Sequence, residues 1–171
     1  MKKLIIVAIV VMVAMPLSMM AQTANTAAAV NLITPLTLTQ TSPLHFGTMS
    51  VQASTAGTCV LKTDGTRSQT GGVNLSTAVP TATTAAYNVT GAVSTTYIIT
   101  LPPTISVSDG SNTMTISSLV ARAASAMADG TTGTLSATGT DAFTVGGTLT
   151  VPAGQAIGAY TGTFNVTVAY N

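Results

Sequence analysis

A regular alternation of apolar and polar residues is the feature of this sequence that most restricts its fold. Within residues 163–171, every second position is apolar or aromatic, at Phe164, Val166, Val168 and Tyr170, and the positions between them are polar or small. Successive side chains of a β-strand point to opposite faces of the sheet, so this pattern is typical of a half-buried strand.

The same alternation recurs in shorter runs along the chain. These runs are centred on Val73 and Leu75, Tyr87 and Val89, Tyr97 to Leu101, Met114 and Ile116, and Phe143 to Val151. Asp-Gly, Gly-Gly and Pro-Pro pairs separate them, and we predict a turn at each pair, Gly146-Gly147 included. Threonine, a β-branched residue suited to strands, occurs 34 times. We therefore predict an all-β fold of about eight or nine strands, a sandwich or a barrel.

One segment leaves the type of structure open. In the alanine-rich stretch 118–128, Leu119, Ala123 and Met127 have the spacing of one helix face. A strand followed by a loop is the alternative, and it is the interpretation that we favour.

The first 21 residues predict export. Lys2 and Lys3 precede an apolar run over residues 4–14, and Pro16 ends that run before small and polar residues. This order is typical of a secretory signal peptide, although a retained N-terminal anchor is an alternative. We expect a signal peptide over 1–21, one domain over 22–171 with an N-terminal strand at 22–40, and no membrane span after cleavage. The expected location is outside the cytoplasm.

Charged residues are unusually scarce. They make up 5% of the chain, whereas ordinary soluble domains contain about 25%. Without Lys2 and Lys3, three basic residues oppose four aspartates, a net charge of 3 − 4 = −1. Such a chain lacks the clustered Lys and Arg that bind phosphates, so no nucleic-acid partner is expected. Its 46% hydrophobic content argues against disorder.

The residues available for catalysis or metal binding are few. The chain has one His, one Cys, four Asp and no Glu, and His45 has no acidic neighbour in sequence. Three of the aspartates precede Gly, as turns require. We therefore predict no catalytic residue, no metal, no cofactor and no enzymatic activity. Cys59, flanked by Thr58 and Val60, is predicted to be a buried thiol in a strand, with an exposed reactive thiol as the alternative.

The segment after the predicted cleavage site is a candidate subunit interface. Val30, Leu32, Leu36 and Leu38 share one face of an alternating pattern. In one interpretation they belong to the domain's own first strand, with Pro35 at an edge or bulge. In the other, they insert into a neighbouring subunit by β-strand addition. Burying all four would contribute about 6–12 kcal/mol before the costs of ordering.

Several short motifs carry a resemblance to a known family. They are Pro43-Leu44-His45-Phe46-Gly47, Gly57-Thr58-Cys59-Val60-Leu61, Gly71-Gly72-Val73, the stretch from Gly139 to Leu149, and the stretch from Gly158 to Phe164. In this order the chain resembles the domain of unknown function 4402, which is similar to bacterial fimbrial and spore-coat-U-like pilin domains. The resemblance implies a single immunoglobulin-like β-sandwich, export in a Gram-negative cell, and a part in surface fibres or adhesion. The location that it implies is the cell surface, a fimbrium or the periplasm.

These features favour two functions over a third class, an enzyme or inhibitor. The favoured one is a structural subunit of a surface fibre that polymerises with itself or with other surface subunits, with a periplasmic chaperone as a further candidate partner. The alternative is a monomeric surface adhesin or glycan-binding module. Glycan-binding faces commonly use aromatic platforms, and this chain has no Trp, three Phe and four Tyr, so we place the alternative second.

Overall fold

A computed structural model describes residues 22–171 of the chain. The predicted signal peptide, residues 1–21, lies outside this part. The described residues form twelve strands and no helix, which confirms the all-β prediction. No helix long and apolar enough to cross a membrane is present among them.

The strands are short, and three of them have only three residues, which is why they outnumber the predicted eight or nine. Their bounds are β1 Thr37–Ser42, β2 Met49–Val51, β3 Gly57–Leu61, β4 Arg67–Gly71, β5 Val73–Leu75, β6 Ala85–Thr90, β7 Thr96–Thr100, β8 Thr104–Ser108, β9 Thr113–Ala123, β10 Thr132–Thr134, β11 Thr140–Val151 and β12 Thr167–Tyr170.

The largest sheet is built around β11. On one side, the first half of β11 pairs with β6 and the second half with β3, and on the other side β11 pairs with β9. Strands β1, β4 and β8 then extend the sheet beyond β6, β3 and β9. All of these pairings are antiparallel.

The predicted turn at Gly146-Gly147 is wrong, because β11 runs through both residues without interruption. They lie at the point where the pairing partner of β11 changes from β6 to β3. A Cβ on Gly146 would overlap the Leu61 carbonyl oxygen. On the β9 side, the register shifts between Gly146 and Thr148, and Ser118 of β9 has a φ of 49°. The two glycines therefore serve a close approach of backbones and a bulge.

Two smaller sheets cover the large one. Strands β10, β7 and β12 form one, and β2 and β5 form the other. Tyr97 and Ile99 of β7 pack with Phe143 and Val145 of β11 in one core cluster. Val73 of β5 joins residues of β3, β8, β9 and β11 in a second cluster. Buried side chains between facing sheets are what a β-sandwich requires.

Two local predictions are confirmed within this core. The alanine-rich segment forms the end of β9 followed by a turn, with Ala121 and Ala123 buried on its inner face. Cys59 lies in β3 with none of its surface exposed, and burial raises the pKa of its thiol. A protonated, inaccessible thiol is unreactive, so Cys59 acts as a small apolar core residue.

The chain divides into two units at residue 32. Residues 22–32 are exposed and have no regular secondary structure, whereas residues 33–171 contain all twelve strands.

Candidate strand-addition site

The C-terminal strand presents an open backbone edge. Strand β12 pairs with β7 on one side, and no other strand of residues 22–171 pairs with its second side. The preceding residues, 162–166, belong to no strand, and no backbone hydrogen bond joins them to another described backbone group. Unpaired N–H and C=O groups in an extended run are a template for a further strand.

The side chains of the same run are anchored in the core. Phe164, Val166, Val168 and Tyr170 are half-buried and pack against the core cluster that contains Tyr97 and the start of β11. The intervening side chains, such as Thr167, face solvent. The predicted faces of residues 163–171 are therefore confirmed, although ladder pairing is limited to β12. The run is fixed on its inner face, and beyond Gly162, which lies against β8, no other strand of the described residues pairs with its second side.

The four residues of the predicted subunit interface fall into two pairs. Leu36 and Leu38 are half-buried and pack on the domain's own core. Val30 and Leu32 are 81% and 93% exposed. Strand β1 begins at Thr37, so the predicted strand over 22–40 forms only at its C-terminal end. Pro35 lacks an N–H donor and restricts the residue before it, which gives a physical reason for this late start.

Tyr170 joins the two chain termini of the domain. Its hydroxyl donates a hydrogen bond of 2.6 Å to the carbonyl oxygen of Thr34 and accepts one of 2.6 Å from the N–H of Ala92. A Cβ on Gly91 would overlap the Tyr170 hydroxyl and lie 2.9 Å from Leu36 Cδ2. The beginning of β1 and the end of β12 are therefore neighbours.

The polar residues that could suggest chemistry are dispersed. His45 is exposed, and its Nδ1 accepts a hydrogen bond of 2.8 Å from the N–H of Gly47. A surface cleft of about 490 Å³ includes Asp64 and Arg122 in its lining but not His45. A second cleft, of about 430 Å³, is mostly apolar. Within residues 22–171, no three His, Cys, Asp or Glu side chains come close enough together to hold a metal ion.

Two aspartates, Asp64 and Asp109, organise the turns that their Asp-Gly pairs predicted. Hydrogen bonds from the N–H groups of Asn112 and Ser111 lower the pKa of Asp109 to about 2. A hydrogen bond from the side chain of Thr66 is the main cause that lowers the pKa of Asp64. Asp129 accepts a hydrogen bond of 2.6 Å from Thr63. The partners of Asp64 and Asp109 lie within their own turns, whereas the partner of Asp129 lies in a distant segment.

The described residues form an all-β sandwich domain with an open strand edge and an exposed N-terminal segment. No group of side chains arranged for catalysis is found among these residues. The chain belongs to the family described as Domain of unknown function (DUF4402), which matches residues 36–170. This match contains all twelve strands and the open edge, and it excludes the exposed segment that includes Val30 and Leu32. No curated protein is significantly similar to the chain.

Proposed function

We propose that this protein is an exported structural subunit of a bacterial surface fibre, used in adhesion or biofilm formation, which assembles by β-strand addition. Residues 22–35 of one subunit, the donor segment, pair with the open edge at residues 162–170 of the next. One observation carries the proposal: the same chain contains an exposed alternating segment and a core-anchored edge without a neighbour.

The chemistry of the two surfaces is compatible. Neither residues 22–61 nor residues 142–171 contain a Lys, Arg, Asp or Glu, so no charge repels an incoming strand. Exposed edges of soluble proteins are commonly protected by such charges. In β-strand addition, main-chain hydrogen bonds supply affinity and alternate side chains supply specificity. Ala28, Val30 and Leu32 are the alternate side chains that the donor segment would insert.

The magnitudes make the addition feasible but not strong for a single contact. Leu36 and Leu38 already pack in their own domain, so only Val30 and Leu32 remain as large apolar donors, contributing about 3–6 kcal/mol. About six new backbone hydrogen bonds would add about 3–9 kcal/mol. Association costs about 4–15 kcal/mol. The backbone pairing therefore matters as much as the side chains.

Deletion of residues 22–32 tests the donor role. The deletion keeps Thr34, whose carbonyl oxygen is bound by Tyr170. We expect the shortened domain to unfold at the same temperature as the parent domain and to remain monomeric in size-exclusion chromatography. The parent protein, without residues 1–21, should give ladders of polymers. A shortened protein that still polymerises would contradict the donor role.

Charge substitutions provide a matched pair of variants. Val30→Asp with Leu32→Asp places two charges on the apolar face of the donor segment and should abolish polymers. Asn25→Asp with Asn31→Asp adds the same charge at polar positions and should retain them. A synthetic peptide of residues 22–36 should raise the melting temperature of the shortened domain, because a ligand that binds only the folded state stabilises it. A parent protein that stays monomeric and binds glycans would instead favour the adhesin function.

A further inference from the structure

The outer face of the large sheet carries two rows of hydroxyl groups that cross five strands. Adjacent strands align the members of each row directly opposite one another. In the order β4, β3, β11, β9, β8, the first row is Thr70, Thr58, Thr150, Thr115 and Ser106, and the second is Ser68, Val60, Thr148, Ser117 and Thr104. Nine of these ten positions bear a hydroxyl, and we call the set the hydroxyl array.

The hydroxyl array faces solvent and contains no charge. Its members are exposed or half-buried, whereas the residues between them along the strands, such as Cys59, Leu149 and Ile116, are buried in the core. The nearest charges outside the array include Lys62, directly after β3, and the exposed Arg122, farther along β9. Surfaces that must stay apart in solution carry about 25–35% charged residues, so this face lacks the usual protection against association.

Dimensions and twist restrict what can cover the hydroxyl array. Its rows are about 19 Å long and about 7 Å apart, from the spacings of strands and residues. Strands twist by about 20–25° from one to the next, which accumulates to roughly 80–100° over five strands. A flat, rigid lattice could contact only a few of the hydroxyls. A second copy of the same sheet has the same twist and can pack against it in the aligned arrangement of sandwiches, at about −30°.

We infer that the hydroxyl array is a lateral contact between two copies of this protein in neighbouring fibres. A hydroxyl both donates and accepts hydrogen bonds, so the face is complementary to itself, as a two-fold symmetric interface requires. The side chains already make such contacts within one sheet, since the hydroxyls of Thr58 and Thr70 lie 2.7 Å apart. No aromatic ring lies in the array to stack on a sugar, which favours a second copy over a neutral polysaccharide.

The inference rests on the proposed function, because the lateral contact becomes strong only when it is repeated along a fibre. The array covers roughly 300 Å² per copy, from its strand and residue spacings, whereas stable interfaces bury about 800 Å² per partner. One contact is therefore weak. A fibre repeats the contact along its length, and linked contacts can exceed a single affinity by about 10²–10⁴. Lateral association should thus be a property of fibres and only weakly visible for single domains.

Lysine substitutions test the contact in the assembled protein. The test variant is Thr150→Lys with Thr104→Lys, two array positions on strands that are not neighbours. The control is Thr96→Lys with Thr132→Lys, which adds the same charge to the exposed face of the β10–β7–β12 sheet. Polymer length is measured by size-exclusion chromatography, and bundling by low-speed pelleting and negative-stain electron microscopy.

We expect all three proteins to polymerise equally, and the test variant alone to lose bundling, with a rise of at least about 10-fold in the concentration at which half of the fibres pellet. Parent fibres that remain single, or a test variant that bundles like the parent, would overturn the inference while leaving the fibre proposal intact.

Cosedimentation of parent fibres with insoluble cellulose, lost in the test variant, would overturn the inference and assign the face to a polysaccharide instead. Absence of polymers in every variant contradicts the proposed function. In that event, sedimentation equilibrium at millimolar concentration decides the inference. A dimer of the parent protein that the test variant lacks supports the lateral contact, and the absence of such a dimer overturns it.

Discussion

The two ends of the described chain carry related sequence patterns in different surroundings. Residues 28–38 place four large apolar side chains on one face, with Thr34 among them and a mixed face opposite, and residues 163–171 alternate apolar with polar side chains throughout. In the second segment the apolar side chains reach the core and four residues form β12. In the first, only Leu36 and Leu38 reach the core, and Leu32 is 93% exposed. Alternation thus defines which side chains share a face, but the available partner decides whether that face is buried.

The largest expected difference is in stability, between Tyr97, the core residue of β7 that pairs with the C-terminal region, and Leu32 of the N-terminal region. Tyr97, fully buried opposite Tyr170, also donates a hydrogen bond of 3.0 Å to Asp141. Tyr97→Ala should lower the free energy of unfolding by about 3–5 kcal/mol. Leu32→Ala should change it by less than about 0.5 kcal/mol, because its side chain is exposed. Urea denaturation measures both, and similar values for the two variants would remove the distinction.

A close backbone contact at Gly162 extends the comparison of stability to the start of the open edge. A Cβ on Gly162 would overlap the carbonyl oxygen of Ser106, whereas a Cβ on Gly130 would enter open space. Gly162→Val should therefore destabilise the domain by about 1–3 kcal/mol, the usual cost of overpacking. Gly130→Ala is the control and should leave the unfolding midpoint nearly unchanged. A tolerated Gly162→Val would mean that the 161–162 segment can move away from β8.

The hydroxyl of Tyr170 connects the two regions. Tyr170→Phe removes its bonds to Thr34 and Ala92 and should lower the free energy of unfolding by about 1–2 kcal/mol. Cleavage by a protease within residues 22–36 should become faster, because the bond at Thr34 no longer restrains the segment. Tyr160→Phe, which loses a hydrogen bond to Ala156 elsewhere, should leave that cleavage rate unchanged. Equal rates in both variants would show that Tyr170 does not restrain the segment.

The smallest expected effect is a dependence of stability on acid pH. The pKa of Asp109 is about 2 in the folded domain and about 3.9 in an unfolded chain. Its ionised form is therefore favoured by folding, so its contribution is complete above about pH 4 and is lost as pH falls towards 2. Asp109 is exposed, so we expect only a shallow decline of the melting temperature over this interval. Asp109→Asn should flatten that part of the profile, and an unchanged profile would exclude the carboxylate as its cause.

Much of the fold follows from local pattern. The all-β class, the inner and outer faces of residues 163–171, the buried Cys59 and the turns at Asp64 and Asp109 were all predictable, because each depends on neighbouring residues. Strand geometry places alternate side chains on opposite faces wherever the strand lies. The turns at Asp64 and Asp109 are each held by hydrogen bonds from the two or three residues that follow the aspartate.

Relations between distant segments were not predictable in this way. Gly146-Gly147 resembles a turn in sequence, but it lies within β11 because Leu61 approaches there and the strand changes partners. Val30 and Leu38 look alike, yet only Leu38 meets a core built by β6 and β11. The open edge and the hydroxyl array likewise depend on which strands are neighbours and in which register. The sequence by itself determined the faces of the strands. The tertiary structure alone decided their partners, since pairing is made between segments that lie far apart in the chain.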